Sequence, residues 1–225
     1  VYIGLPWIFY EGTSHKINVQ LTASRDGKLW SRVANRQVFI PNGPQESWDA
    51  GILFTASQPI QVVDDTIYLY YSASNHDHNY TKRPPQGTPE WDAHWDSIKT
   101  SIGVATLRRD GFASMDAADE CSLTTRPVQF HGKHLFVNLD APKGSLLAEV
   151  LDAEGNVISP FSQQNCVAVR GDKTLLRVNW KNAPDLASVA GSPVRFRFTL
   201  RNGSLYSFWV SPDESGASHG YVAAG

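Results

Sequence analysis

Short apolar segments alternate with turn signals along the whole chain, and no window of twelve residues carries the period of an amphipathic helix. Residues that form turns, mainly Gly, Pro, Asn and Asp, recur about every ten residues. This spacing is typical of antiparallel sheets, so the sequence predicts an all-β protein. With 225 residues, the chain is long enough for one large or two ordinary domains.

An Arg-Asp-Gly turn follows a strand-like segment twice, at residues 25–27 and 109–111. Asp-Gly favours tight hairpins because Gly readily adopts positive φ, and the repetition suggests a repeated unit. The strands predicted for that unit are 51–57, 66–73, 101–108 and 112–115. Four such strands in an antiparallel meander form one blade of a β-propeller, and residues 2–34 would supply three strands of the preceding blade. We therefore predict a partial β-propeller of about two blades over residues 1–117.

The pattern changes at about residue 118. In the segment 194–200, Val194, Phe196 and Phe198 alternate with Arg195 and Arg197, as in a strand with one buried face. Residues 118–212 are therefore predicted to form an antiparallel β-sandwich, jelly-roll-like in type. The patternless, Gly- and Ala-rich residues 213–225 are expected to be a flexible tail.

The propeller interpretation places two long segments together. Successive connections of a meander alternate between the two ends of the sheet, so the segments 41–50 and 74–100 should share one end. The tight Arg-Asp-Gly turns should lie at the opposite end. Long connections rich in His, Asp and Trp on a rigid scaffold are where sites are usually built.

Four segments resemble the later blades of five-bladed β-propeller glycoside hydrolases, namely those of families 32, 43, 117 and 130. They are "SRDGKLW" (24–30), "WDAG" (48–51), "IYLYYS" (67–72) and "IGVATLRRDGF" (102–112). The segment that begins at Leu123 is similar to a β-sandwich module that often follows such propellers. The resemblance implies a carbohydrate-active protein whose partner is an oligo- or polysaccharide. Because the Trp-x-Asp-Pro and Arg-Asp-Pro motifs of the early blades do not occur, we expect N-terminal blades in a longer chain.

Glycoside hydrolysis generally uses two carboxyl groups, and the segment 41–50 supplies two candidates. Asp49 enters the innermost predicted strand directly and is the first candidate for a catalytic residue; Glu46 is the second. The alternative for Asp49 is that it only caps a turn. A non-catalytic carbohydrate-binding or cell-surface recognition protein on the same fold is the alternative function.

Other side chains of these segments are candidates for contacts with a sugar. They are Trp48, His76, Asp77, His78, Trp91, His94 and Trp95. The Trp rings could stack on a sugar or only pack loops. No cofactor is predicted, although His76 and His78 point the same way in an extended chain and are a possible site for Ca²⁺ or Zn²⁺. Ser24, Asp26 and Trp30 match a turn-stabilising motif of sialidases and are assigned to folding.

The net charge of the chain and its two cysteines bear on its binding partners and on its location in or outside the cell. The net charge is −2 and no basic run exceeds two residues, so nucleic acid is a poor partner. No apolar stretch reaches the ~18 residues of a membrane span. Cys121 and Cys166 could form one disulfide or be unrelated thiols. Together with two glycosylation sequons, at Asn79 and Asn202, they favour a secreted, extracellular or periplasmic protein.

Overall fold

The computed structural model describes residues 1–57, 60–78 and 84–217. Strands dominate these residues, which confirms the predicted all-β class. The chain divides into two compact units, Val1–Leu107 and Arg108–Gly225. The boundary predicted at residues 117 and 118 falls inside a strand of the second unit. No helix within the described ranges is long and apolar enough to cross a bilayer.

The first unit is built from short strands in two sheets. Its strands are β1 (Tyr2–Gly4), β2 (Trp7–Phe9), β3 (Ile17–Gln20), β4 (Thr22–Ser24), β5 (Ser31–Arg32), β6 (Val38–Ile40), β7 (Ile52–Thr55), β8 (Gln61–Val63), β9 (Thr66–Ser74) and β10 (Thr100–Arg108). A small sheet has the order β1-β4-β5. A seven-stranded sheet has the order β10-β9-β7-β3-β2, with β6 paired to β3 and β8 to β9. The interior of the unit is lined by the aliphatic side chains Ile17, Val19, Leu21, Ile40, Ile52, Leu53, Ile67 and Leu69.

Pairing in the large sheet differs from the predicted pair of blades in two respects. The strands β7, β9 and β10 are consecutive neighbours, as predicted. However, Ile17 of β3 pairs in parallel with Ile52 of β7, so strands assigned to two blades lie in one sheet. The predicted fourth strand, 112–115, is wrong: after Arg108 the chain turns, and the next strand, β11 (Met115–Thr124), pairs with a strand of the second unit.

The second unit contains one four-stranded sheet with the order β11-β14-β12-β13. Its further strands are β12 (His134–Leu151), β13 (Val169–Val178) and β14 (Arg195–Ser211). The glycine-bearing segments 142–144 of β12 and 202–203 of β14 are bends at which the register between the two strands shifts without ending the pairing.

The long strands fold back on themselves at these bends. The rings of Phe196 and Phe208, both on β14, lie 5.7 Å apart. Twelve residues of straight strand would separate them by about 40 Å. The two halves of the bent sheet therefore enclose a common core, in which Leu139, Leu146 and Phe196 are fully buried. Gly144 permits this bend because a Cβ there would lie 1.8 Å from the carbonyl oxygen of Arg201.

Of the two alternatives for the cysteines, the structure shows unrelated thiols: Cys121 and Cys166 are both free. Cys121 is exposed on β11, whereas Cys166 is buried in the core with its Sγ accepting a hydrogen bond from the Ala148 backbone amide at 3.3 Å. Burial raises the pKa of the Cys166 thiol. Cys166 therefore acts as a small core side chain.

Residues 212–217, which we call the C-terminal strap, fold back onto the second unit. Trp209 Nε1 donates to Gly216 O at 2.9 Å, and Ser211 Oγ donates to Ala217 O at 2.6 Å. The flexible tail predicted from residue 213 therefore begins with residues 213–217, two of which accept hydrogen bonds from the second unit, and its flexibility stays a prediction. The rest of that predicted tail lies outside the described residues.

Candidate functional site

Antiparallel pairing brings the two long segments of the first unit to one end of the sheet. Ile52 at the start of β7 pairs with Ser74 at the end of β9. The segment 41–50 therefore enters the sheet where the segment after Ser74 leaves it, which confirms the predicted shared end. At this junction the Gly51 amide donates to Ser74 O at 2.9 Å. A side chain at Gly51 would collide with the backbone of His76, whose oxygen lies 1.9 Å from the position of a Cβ.

A single asparagine fixes the segment 41–50 to the sheet. Asn42 Nδ2 donates to Ile17 O and to Gly51 O, at 2.9 Å in each case. It thereby ties the segment to β3 and to the entrance of β7. The strands β3 and β7 share only one residue pair. The asparagine side chain supplies further hydrogen bonds there, because both of its acceptors are backbone carbonyls.

Asp49 lies in a compact group with Ser47, Trp48 and Tyr71. Its Oδ1 accepts a hydrogen bond from Ser47 Oγ at 2.6 Å, and its Oδ2 accepts one from Tyr71 Oη at 3.4 Å. The Trp48 ring stacks on Tyr71, with centroids 5.8 Å apart and planes 9° apart. Trp48, Asp49 and Tyr71 are each half-buried. We call these three residues the Trp48 shelf.

Burial and the charge of Asp49 keep the Tyr71 phenol protonated, so that it can donate a hydrogen bond. Burial raises the pKa of Tyr71, and the negative charge of Asp49 raises it further. A protonated phenol can donate to a carboxylate, whereas a phenolate would be repelled by it. Two hydroxyl donors therefore hold the Asp49 carboxylate at a fixed position beside the Trp48 ring.

The backbone at Gly43 passes close to the Asp49 carboxylate of the Trp48 shelf. A Cβ at Gly43 would lie 1.9 Å from Asp49 Oδ1, so a side chain there would displace the Asp49 carboxylate from this position. The amide of Gly43 also donates to Asp49 O at 3.1 Å. Glu46, the second predicted carboxylate, is exposed at the tip of the same segment and adopts a left-handed φ of 73°. Such a backbone is uncommon for a residue with a side chain and is often found at functional sites.

The predicted contact residues after β9 lie at the base of the second long segment. His76 Nδ1 lies 2.8 Å from Asp77 O, which makes Nδ1 the protonated nitrogen in the neutral ring. The His78 amide donates to His15 O at 2.8 Å, and the His78 ring packs edge-on against Phe9. Asn75 closes the segment, because its Oδ1 accepts from the Lys99 amide and its Nδ2 donates to Ser97 O.

The second half of that segment forms a short helix, α1 (Pro89–Asp96), where the sequence predicts only a loop. Thr88 caps its N-terminus by accepting a hydrogen bond from the Trp91 amide at 3.2 Å, and Pro89 occupies the first helical turn. The rings of Trp91 and Trp95, four residues apart, meet edge to face at 5.3 Å. The His94 ring contacts Trp95 at 5.5 Å. The three predicted side chains Trp91, His94 and Trp95 therefore form an aromatic group on one face of α1.

Among the described residues, no cluster of ligands forms the possible Ca²⁺ or Zn²⁺ site. Within them, no three His, Cys, Asp or Glu side chains come together to hold a metal ion. Chemically, the end of the sheet therefore offers aromatic faces, one fixed carboxylate and histidine nitrogens.

Several residues of the shelf were missed by the sequence-based prediction. Tyr71 was assigned only to a strand, although its alternation with Leu69 and Ala73 places it on the inner face of β9. Asn42 and Ser47 carry no distinctive motif. Neither the family models nor the curated proteins nor the solved structures with which the chain was compared give a match.

Proposed function

We propose that the chain is a carbohydrate-binding protein whose site is the Trp48 shelf. The observation that carries this proposal is the half-buried Trp48 ring, held parallel to Tyr71 beside a fixed Asp49 carboxylate. The apolar C–H face of a sugar ring packs on an aromatic face, and its hydroxyls donate to a carboxylate. The resemblance to propeller glycoside hydrolases supports a saccharide as ligand.

The resemblance also suggests the wider setting of this site. We propose that the first unit belongs to the propeller architecture of those hydrolases and that the second unit is the β-sandwich module that follows it. A secreted or periplasmic location suits a protein that meets polysaccharides. These proposals rest on fold analogy, whereas the Trp48 shelf rests on named contacts.

Binding is favoured over catalysis because both oxygens of Asp49 already accept hydrogen bonds from the protein. A carboxylate committed in this way is suited to holding a ligand hydroxyl at a fixed position. Hydrolysis is the second candidate, favoured by the left-handed backbone of Glu46 three residues away. The two candidates share a site and differ in whether the carboxylates turn over the bound sugar.

The test is oligosaccharide binding by isothermal titration calorimetry with the variants Trp48→Ala and Trp30→Ala. Trp30 is the matched control because it is also a partly exposed tryptophan, at 46% exposure, and lies on the turn of residues 24–30. We expect Trp48→Ala to weaken binding by about tenfold or more, equivalent to about 1.4 kcal/mol, and Trp30→Ala to leave it unchanged. Equal affinities of the wild type and Trp48→Ala would remove the shelf as the site.

Hydrolysis is tested on nitrophenyl glycosides with Asp49→Asn and Glu46→Gln. If the carboxylates act chemically, both variants lose turnover while Asp49→Asn retains sugar binding. Turnover that is unaffected by both substitutions rules out hydrolysis by these carboxylates.

A further inference from the structure

The side chains that hold the Asp49 carboxylate of the Trp48 shelf are neutral. Its two oxygens accept hydrogen bonds from the hydroxyls of Ser47, at 2.6 Å, and Tyr71, at 3.4 Å. In the part of the chain that the structure describes, every ion pair involves another carboxylate, and no Lys, Arg or His pairs with Asp49. Two hydroxyl donors leave the negative charge on the carboxylate, and this charge raises the pKa of Tyr71. Asp49 therefore presents a charge that the described residues do not neutralise.

The buried carboxylate of the second unit shows the more usual arrangement. Glu149 is buried and forms an ion pair with Arg197. Charges that are removed from water are normally paired, because an unpaired one costs free energy. Asp49 is half-buried, yet the segment 41–50 contains no Lys or Arg, and its other charged residue is the carboxylate Glu46. The charge complementary to this segment is therefore that of a cationic ligand.

The charge of Asp49 lies beside an aromatic surface, because one side chain contacts both. The ring of Tyr71 stacks on Trp48 at 5.8 Å, and its hydroxyl donates to Asp49 Oδ2. The distance from indole to carboxylate is thus spanned by a single phenol, which is similar in size to a sugar ring with one substituent. An indole packs on the C–H face of such a ring and also attracts a cation.

We propose that the Trp48 shelf binds an amino sugar, whose ammonium group pairs with the Asp49 carboxylate while the sugar ring packs on Trp48. This proposal rests on the proposed function and adds the charge of the ligand to it. A carboxylate has about four positions for hydrogen-bond donors, and the protein fills two of them. Positions therefore remain for an ammonium group, whose hydrogen bond to a carboxylate is stronger than that of a neutral hydroxyl.

The probes are three β-1,4-linked hexasaccharides that differ only at C2 of each ring. The glucosamine hexamer carries an amine, the N-acetylglucosamine hexamer an acetamide and cellohexaose a hydroxyl. Each is titrated calorimetrically into the full chain at a mildly acidic pH, at which the amine is protonated. We expect the glucosamine hexamer to bind about tenfold tighter than the other two. High salt should reduce this preference, because it screens the ion pair.

The variant Asp49→Asn removes the charge while keeping the shape of the side chain. It should bind the three hexamers with about equal affinity. Glu11→Gln is the matched control, because it removes an exposed carboxylate of the same unit and changes the net charge equally. It should keep the wild-type preference, whereas Trp48→Ala should weaken the binding of all three.

Equal affinities of the wild type for the three hexamers would overturn the amino-sugar proposal but leave saccharide binding by the shelf intact. This comparison needs no variant, so it decides the matter even if Asp49→Asn does not fold. A preference that persists in Asp49→Asn would assign the charge recognition to another carboxylate and would overturn the proposal too. Spermidine that binds as tightly as the glucosamine hexamer would mean that any polycation is accepted, with the same consequence. If the wild type binds none of the three, the amino-sugar proposal fails, and titration of other oligosaccharides decides the proposed function separately.

Discussion

The two units of the chain are held together by different kinds of contact. The second unit is organised by long strands around a continuous buried cluster that includes Phe161, Phe196 and Phe198. Most strands of the first unit are only two to four residues long. Hydrogen bonds from side chains to the backbone, such as those of Asn42 and Asn75, complete the pairing in the first unit.

This difference shows where a site can be placed. Short strands leave much of the first unit as connecting segments, and these carry the Trp48 shelf and α1. In the second unit the long strands β12 and β14 bend without interruption, and the connections 152–168 and 179–194 join its strands. Connecting segments held on a rigid scaffold commonly carry binding sites.

The largest effect that tests this comparison is expected from Phe196→Ala. Phe196 is fully buried at the centre of the aromatic contacts between the two halves of the bent sheet. Removing its ring leaves a cavity and should lower the free energy of unfolding of the second unit by about 3–5 kcal/mol. Urea unfolding would measure the loss. Leu175→Ala, at a position 44% exposed, is the control and should cost much less.

A smaller loss is expected in the first unit from Asn42→Ala. The substitution removes two hydrogen bonds and leaves two partly buried carbonyl oxygens without that donor. We expect the free energy of unfolding to fall by about 1–3 kcal/mol. Gln45→Ala, at an exposed position of the same segment, should leave it unchanged. If Asn42→Ala is as stable as the wild type, side-chain hydrogen bonds are not what completes pairing in this unit.

The sequence is sufficient to predict the strand content, because alternation and turn residues are local signals. It also predicts that the segments 41–50 and 74–100 leave one end of the sheet, since this follows from antiparallel order. The bends at Gly144 and Gly203 could not be distinguished from turns, because the same residues serve both purposes. The partners of Asp49 could not be foreseen either, since Tyr71 lies 22 residues away and only folding brings them together.

The hydrogen bonds in the turn of residues 24–30 match the turn-stabilising motif to which Ser24, Asp26 and Trp30 were assigned. Asp26 Oδ1 accepts hydrogen bonds from the amides of Lys28 and Leu29, at 2.8 and 2.9 Å, and from Ser24 Oγ at 3.0 Å. Trp30 Nε1 closes the turn by donating to Gly27 O at 3.1 Å. The assignment of Ser24, Asp26 and Trp30 to folding is therefore confirmed by the contacts that they make.

The smallest expected effect compares this turn with its counterpart in the second unit, around Asp152. Hydrogen bonds from the Leu29 and Lys28 amides lower the pKa of Asp26, and hydrogen bonds from the Asn156 amide and side chain lower the pKa of Asp152. A carboxyl whose pKa is lower in the folded state stabilises the fold above its unfolded pKa. That contribution is lost as the pH falls through the folded pKa.

We therefore expect Asp26→Asn and Asp152→Asn to be slightly less stable than the wild type at pH 7. This difference should shrink as the pH falls below the ordinary range of an aspartate, because the wild type then loses the same contribution. Urea unfolding of each variant over a series of acid pH values would measure it, with Glu11→Gln as an exposed carboxylate control. A deficit of either variant that stays constant with pH would mean that its turn depends on the shape of the side chain rather than on its charge. If only Asp26→Asn shows the pH dependence, the charge of a hydrogen-bonded turn contributes more to stability in the first unit, which has the short strands. The two units would then differ in electrostatics as well as in strand length.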